Sequence, residues 1–498
     1  LLYRNLERGL NDFEKEDAMS DLMAREKRSP RGREKGWPFM LSGLVLGLTV
    51  FLAGCASKEN PKIRVGLGEE IITPPIGAPL SGYDRRGKVS TGVHDDLHVR
   101  SLVVEGEDGT AVVLMTVSVI NIGRKNIEEI RTGIEQQTGI PGSRIIISST
   151  HTHSGPDIGG AGEEYRKQLV ERCLSSAVKA WTSRLPGRIG VGSTEVLELG
   201  RNDRRMEYGG LHPDPEVGII KIEDARGKLL GVAFNYGCHP STLDLHNLEF
   251  TEDWPYFAIQ GIKEKLGPDV WVAYFQSAQG DVKVGYTAEL SAVGAEMPIR
   301  NFWYAEIKGR QMSAAVTQAL PEIATSPNPM IKASQGFFDY PLRDSYPLSV
   351  KEAEAQYERV KAKLEEMEKQ AGTIGKRVLD RYRVDEFLAR LALNTAKWVE
   401  ANPNPAPRSL EQQAVRIGDA VFVTFPAEVF SEIGLQVKQK SPFEKTFVIG
   451  LASGYGGYMP TAAEYLEGGY AAVMTTYSPK CEQVCIDSSL ELISKVTD

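Results

Sequence analysis

Seven histidines are spread over 498 residues, and two of them stand one residue apart in Ser149-Thr150-His151-Thr152-His153-Ser154-Gly155-Pro156. A third, His239, lies in Gly237-Cys238-His239-Pro240, and a carboxylate follows much later in Phe425-Pro426-Ala427-Glu428. Two imidazole nitrogens, one carboxylate and an open position form a catalytic metal shell, because neutral ligands with a single anion leave a bound ion Lewis-acidic. Each signal taken separately is ambiguous. Loop histidines are also commonly satisfied by hydrogen bonds alone, and both readings stand at this point. His94 and His98 have the spacing of a helical ligand pair, but His98 falls where a strand begins, which favours structural roles. Asp253 reads either as a group that orients a ligand histidine or as a surface acid; His212 and His246 read as loop residues.

These residues need a scaffold that aims short side chains at one point. Apolar and β-branched runs over residues 111–120, 144–149 and 269–275 read as strands, and 126–138 as a helix. Residues 217–222 and 229–235 read as a hairpin across Asp224-Ala225-Arg226-Gly227, and 414–417 with 420–424 as another around Gly418-Asp419. A further strand is expected over 447–451. The polar clusters sit just past strand ends, where α/β proteins carry their sites. The expected fold class is α/β, a mixed β-sheet core flanked by helices. From Val350, the positions Ala353, Tyr357, Val360, Leu364, Met367 and Ala371 recur at helical spacing, a second apolar helix covers 378–399, and Pro403, Pro405 and Pro407 close the segment. A helical hairpin insert over about 349–402 follows, read as scaffolding.

The net charge of −8 and the lack of a long basic run exclude a phosphate-tracking surface, so nucleic acid is not an expected partner. Near the start, Arg25, Lys27, Arg28, Arg31, Arg33 and Lys35 precede an apolar run over 39–53 that ends Leu52-Ala53-Gly54-Cys55. A basic region, a short apolar core and small residues before a cysteine form a signal peptide with a lipobox. Residues 1–54 are therefore expected to be a signal segment, with 1–22 an over-extended start, and 55–498 a single catalytic domain that includes the insert. Lipidated Cys55 would anchor an exported protein to the cell membrane or outer membrane, with the domain outside the cytoplasm. Cys173, Cys238, Cys481 and Cys485 read as free thiols, the last two being four apart in an expected helix.

Together with Gly66-Leu67-Gly68-Glu69-Glu70-Ile71-Ile72-Thr73-Pro74, Gly92-Val93-His94-Asp95, residues 276–281 and a tyrosine-rich tail, the His-Thr-His-Ser-Gly-Pro, Cys-His-Pro and Pro-Ala-Glu segments resemble the catalytic domain of the neutral, non-lysosomal ceramidases. The resemblance implies Zn2+ held by His151, His239, Glu428 and Tyr458, with Tyr455 as the other candidate for the tail ligand and, where Tyr458 holds the metal, a catalytic residue. It implies catalytic roles for His153, Arg204 and Tyr470, with Arg204 matching imperfectly because Asp203 intervenes. The implied activity is hydrolysis of a C–N amide bond in a lipid or N-acyl small molecule by metal-bound water. An acyl ester hydrolase and a non-catalytic, lipid-binding envelope lipoprotein are the alternatives. Two features depart from the family: Lys283 stands where a serine is expected after Gly280-Asp281-Val282, and the chain ends without an immunoglobulin-like domain.

Overall fold

The computed structural model describes residues 60–497 apart from 84–85 and 203–210. The signal segment, Cys55 and Arg204 lie outside the described residues.

The larger of two main sheets is built from β1 (Ile63–Ile71), β2 (His98–Glu105), β3 (Ala111–Val117), β4 (Ile145–Ser149), β5 (Leu185–Glu195), β6 (Glu216–Asp224), β7 (Leu229–Tyr236) and β8 (Trp271–Gln276). Its spatial order is β8-β7-β6-β5-β1-β2-β3-β4. The two edge pairs, β3 with β4 and β7 with β8, are parallel, and the strands between are antiparallel. Each parallel pair needs a crossover helix, supplied by α1 (Arg124–Thr138) and α3 (Trp254–Leu266); α2 (Glu163–Thr182) joins β4 to β5.

A second sheet of β9 (Ile331–Tyr340), β10 (Arg408–Ile417), β11 (Ala420–Thr424) and β12 (Lys445–Ile449) lies face to face with the first. The strand β3 shows why its apolar run is unbroken. Val112 and Leu114 pack into the core between the sheets with Val415 and Phe422, whereas Val113 and Met115 pack against Ile127, Ile130 and Leu169 of α1 and α2. Alternate residues feed opposite faces, and both faces are covered. Helix α3 with α4 (Phe302–Ala319) covers the other half of the first sheet, and α7 (Ser431–Lys440) with α8 (Cys481–Ser494) covers the second. The mixed sheet flanked by helices is thus doubled into helix, sheet, sheet, helix layers. The insert is a hairpin of α5 (Val350–Lys369), started by a Ser349/Glu352 capping box, and α6 (Lys376–Ala401).

Although β4 and β8 are opposite edges of the larger sheet, their ends meet. Gln276 Nε2 donates to Thr150 O at 3.2 Å across this junction, and Gly450 N, just past β12, donates to Gln276 O at 2.9 Å. The chain beyond β4, β7, β8, β11 and β12 converges there.

Candidate metal centre

His151 is two residues past β4 and adopts a left-handed backbone (φ 70°) with its N–H bonded to Val119 O at 3.0 Å. Holding a β-branch-free but bulky residue in this region is costly, and such strain persists where the surroundings over-determine it. Its Nδ1 faces Ile120 O at 2.8 Å. His239, fully buried past β7, faces Val282 O with Nδ1 at 3.0 Å. A carbonyl oxygen only accepts, so each Nδ1 carries the proton and each Nε2 presents its lone pair. Both lone pairs are directed at the same carboxylate: Oε2 of Glu428 is 3.3 Å from His151 Nε2 and 3.2 Å from His239 Nε2.

Three lone-pair donors facing one another repel unless a cation lies among them. The donor set therefore fits a divalent metal, with the two carbonyls fixing the tautomers from behind. Burial works against ionised Glu428, and positive charge on His151 and His239 would hold its carboxyl well below the usual carboxylate range; with both imidazoles neutral, that charge falls to a bound cation. Burial, then the charge of Lys283, pushes His239 down to about 3, so it is a neutral ligand at pH 7.

Glu428 opens a two-residue strand, Glu428–Val429, that pairs in parallel with Tyr458–Met459 and puts Tyr458 beside it. Tyr455 donates to Glu428 Oε1 at 2.8 Å, and Tyr458 lies beside the same residue across the strand pair. Tyr458 is buried and Tyr455 is exposed to 42%. Burial, reinforced by Glu428, raises both phenols well above their usual range; a bound dication reverses that preference for whichever it touches. Tyr470 packs edge-on against Tyr458, with ring centroids 5.5 Å apart, and stacks on Phe387 of α6 at 5.8 Å.

His153 completes the cluster. Its ring lies 5.0 Å from that of His151 and 5.6 Å from that of His239, and the ligand-capable atoms of the three histidines lie within 4.8 Å of one another. Both its nitrogens are buried without a hydrogen-bond partner. Burial, followed by His151, His239 and Lys283, holds its pKa well below the ordinary histidine value. The group is thus available either as a further ligand or as a neutral base beside the metal.

Sequence reasoning missed the cradle of His153. Gly82 (φ 101°) has no room for a Cβ, which would lie 2.8 Å from His153 Cα; the Tyr83 ring lies 5.0 Å from the imidazole, and Arg86 Nη2 donates to His153 O at 2.9 Å. A Gly-Tyr pair in a loop was the only available signal. Asp253 neither touches a histidine nor faces solvent: it caps α3 through Trp254 N at 2.7 Å and accepts from Thr242 N at 3.1 Å, fixing the loop after His239. His94 pairs with Asp95 at 2.7 Å, and His98 lies 3.4 Å from both Glu69 and Glu252, in a separate network with Arg100. The four cysteines among the described residues are buried free thiols.

No family model matches the chain. Curated relatives do: the neutral ceramidase of Drosophila pseudoobscura pseudoobscura is 25% identical over 246 residues, 44% of this chain and 35% of the relative. That of Pseudomonas aeruginosa is 22% identical over 231 residues, 41% and 33% of the two chains. The matched stretch spans about a third of the length of these relatives. In three dimensions the match is wider. The crystal structure of the Pseudomonas aeruginosa neutral ceramidase superposes with a TM-score of 0.65 at 19% identity, over 88% of this chain and 75% of the other. A ceramidase complexed with C2 gives 0.66 at 18% over 88% and 76%. By sequence over its matched stretch and by fold over most of its length, the chain is related to the neutral ceramidases and has the fold of their catalytic domain.

Proposed function

We propose that the chain is a zinc-dependent hydrolase that cleaves the C–N amide bond of an N-acyl lipid or a related N-acyl small molecule. The observation that carries this reading is the convergence of His151 Nε2, His239 Nε2 and Glu428 Oε2 beside an unpartnered His153. The kinship with ceramidases, one of them in a complex with C2, supports an amide bond and a lipid as substrate.

His151, His239 and Glu428 would hold the ion, with Tyr458 closing the set and Tyr455 bracing the other carboxylate oxygen. A divalent ion there supplies Lewis acidity, polarising the scissile carbonyl and making water a stronger acid. His153, neutral at pH 7, accepts the proton of the attacking water on one ring nitrogen. It then delivers a proton to the leaving nitrogen, so that water and amide become carboxylic acid and amine. Tyr470, held between Phe387 and Tyr458, borders the carbonyl as a hydrogen-bond donor, and Arg204 would act from the segment outside the described residues.

The test is elemental analysis of the purified full chain, followed by assay on an N-acyl series of ceramide, N-acylethanolamines and N-acyl amino acids. One zinc per chain and amide turnover abolished by chelation and restored by zinc are expected. Full metal content with esters cleaved and every amide untouched overturns the amidase reading.

A further inference from the structure

The three histidines of the centre are not held alike. His151 and His239 each set a ring nitrogen against a backbone carbonyl, at 2.8 and 3.0 Å, whereas neither nitrogen of His153, both of them buried, has a partner. Hydrogen bonds fix the backbone of His153 but not its imidazole: its N–H donates to Pro240 O at 3.0 Å, and its carbonyl accepts from Arg86 Nη2 at 2.9 Å. The plane of the ring is left to packing.

Among the described residues three rings lie beside that imidazole: His151 and His239 at 5.0 and 5.6 Å, and Tyr83 at 5.0 Å, tilted by 58°. The first two face the metal position, and Tyr83 is the wall behind. The phenol is itself held at its far end, where Oη donates to Leu243 O at 2.7 Å and accepts from Arg300 Nη2 at 2.6 Å, and the Arg86 guanidinium lies over its ring at 4.8 Å. Arg300, also buried, donates to Ser241 O at 3.1 Å and Leu243 O at 2.7 Å and lies over the Tyr286 ring at 3.9 Å. Ser241 and Leu243 belong to the turn that follows His239. One side chain thus joins the segment under His153 to the loop of a metal ligand.

We infer that Tyr83 is a positioning residue for His153: its ring sets the orientation of the imidazole, and its phenol keeps that ring in register with the turn after His239. A reacting group displaced by about 1 Å loses on the order of 10²-fold in rate, so an acid–base ring with no hydrogen bond behind it depends on such a wall. The two parts of Tyr83 are separable. In Tyr83→Phe the flat face stays and no buried group is orphaned, because Leu243 O still accepts from Arg300 and Arg300 Nη2 still reaches Ser241 O. In Tyr83→Leu the flat face goes while much of the volume stays filled. The inference rests on the proposed acid–base role of His153 for its effect on rate but not for the order of the ring.

The experiment follows the seven histidine rings by NMR of the full chain carrying isotope-labelled histidine, with and without zinc, the His153→Gln spectrum identifying the line of His153. The native chain and Tyr83→Phe are expected to give one narrow His153 line, and Tyr83→Leu a broadened or divided one with zinc affinity unchanged. On an N-acyl amide, Tyr83→Leu is expected to lose about tenfold or more in kcat and in kcat/KM alike, the pattern of an interaction that acts in the transition state, and Tyr83→Phe to keep most of both. A His153 line already broadened or divided in the native chain overturns the inference whether or not either variant folds. A narrow line in Tyr83→Leu overturns it too, as does a loss of kcat in Tyr83→Phe equal to that in Tyr83→Leu. If the order of the His153 line depends on the Tyr83 ring yet no N-acyl amide is cleaved, the amidase reading fails while the positioning role stands.

Discussion

At the scale of single residues, the decisive feature is where protons cannot be. The Nδ1 of His151 and of His239 each face a backbone carbonyl, so the Nε2 lone pairs meet Glu428 with no proton to share between three acceptors. Removing a metal ligand is therefore a different change from removing His153. Glu428→Gln and His239→Ala are expected to weaken zinc binding by at least about 100-fold, beyond the effect typical of an outer-shell partner. His153→Ala is expected to keep the metal and lose about 10²- to 10⁴-fold in kcat, the range of a missing acid–base group. Metal titration beside steady-state kinetics separates them. Loss of zinc in His153→Ala would make His153 a ligand, in line with its 4.8 Å clustering with the other two histidines.

Elements explain how much of this is legible in the sequence. The continuous run of β3, the α5–α6 repeat and the loops carrying His151, His239 and Glu428 are visible in sequence, because side-chain periodicity records which faces are covered. The strands β1 and β5 are not legible in the sequence, and their glycines are the reason. A Cβ on Gly66 or Gly68 would collide with carbonyls of α2, and one on Gly190 with Ala324 O, so close layer packing is bought with residues that look unlike strand formers. The meeting of β4 and β8 at the site, and the carbonyls of Ile120 and Val282, leave no mark on composition. Two expectations belong at this scale. Phe387 on α6 is nearly buried and stacks on Tyr470, so Phe387→Ala should cost about 3 kcal/mol of stability and lower kcat/KM by more than the loss of folded protein explains. Unchanged kcat/KM per folded molecule would make the hairpin scaffolding alone. His212 ties the loop before β6 to the end of β7: Nε2–H donates to Gly237 O at 2.7 Å and Nδ1 accepts from Asp214 N at 3.1 Å. Burial pulls its pKa down to about 4. The folded state keeps it neutral while the unfolded chain takes a proton below about pH 6.5, so its contribution is complete above 6.5 and lost as pH falls towards 4. The shift corresponds to about 3 kcal/mol. Urea unfolding across that window should show the decline, and His212→Gln should flatten it; parallel curves would mean that other groups carry the acid sensitivity.

At the scale of the whole molecule, the proposed function raises the question of how a lipid amide would reach a buried centre. Among the described residues no helix is long and apolar enough to cross a membrane, and the chain's net charge of −8 does not favour an anionic surface. We propose that the hold is covalent, that Cys55 is lipidated and becomes the first residue of an exported protein, and that the domain works outside the cytoplasm at the cell membrane or outer membrane. The motivation lies in order: six basic residues over 25–35, an apolar run over 39–53, then Leu52-Ala53-Gly54-Cys55. Several acyl chains on one residue, at about 0.8 kcal/mol per buried methylene, give effectively permanent attachment. From Cys55 to the first residue of β1, Ile63, the chain spans eight steps, which at full extension reach at most about 28 Å. That bound keeps the start of β1 close to the bilayer, where N-acyl lipids are concentrated. Mass spectrometry of the detergent-extracted protein is expected to find an N-terminal cysteine carrying diacylglycerol, and Cys55→Ser is expected to stop processing at this position. Native protein released in soluble form with a terminus other than Cys55, or membrane-bound protein that retains residues 23–54, would show that attachment by lipidated Cys55 is wrong, without touching the metal centre.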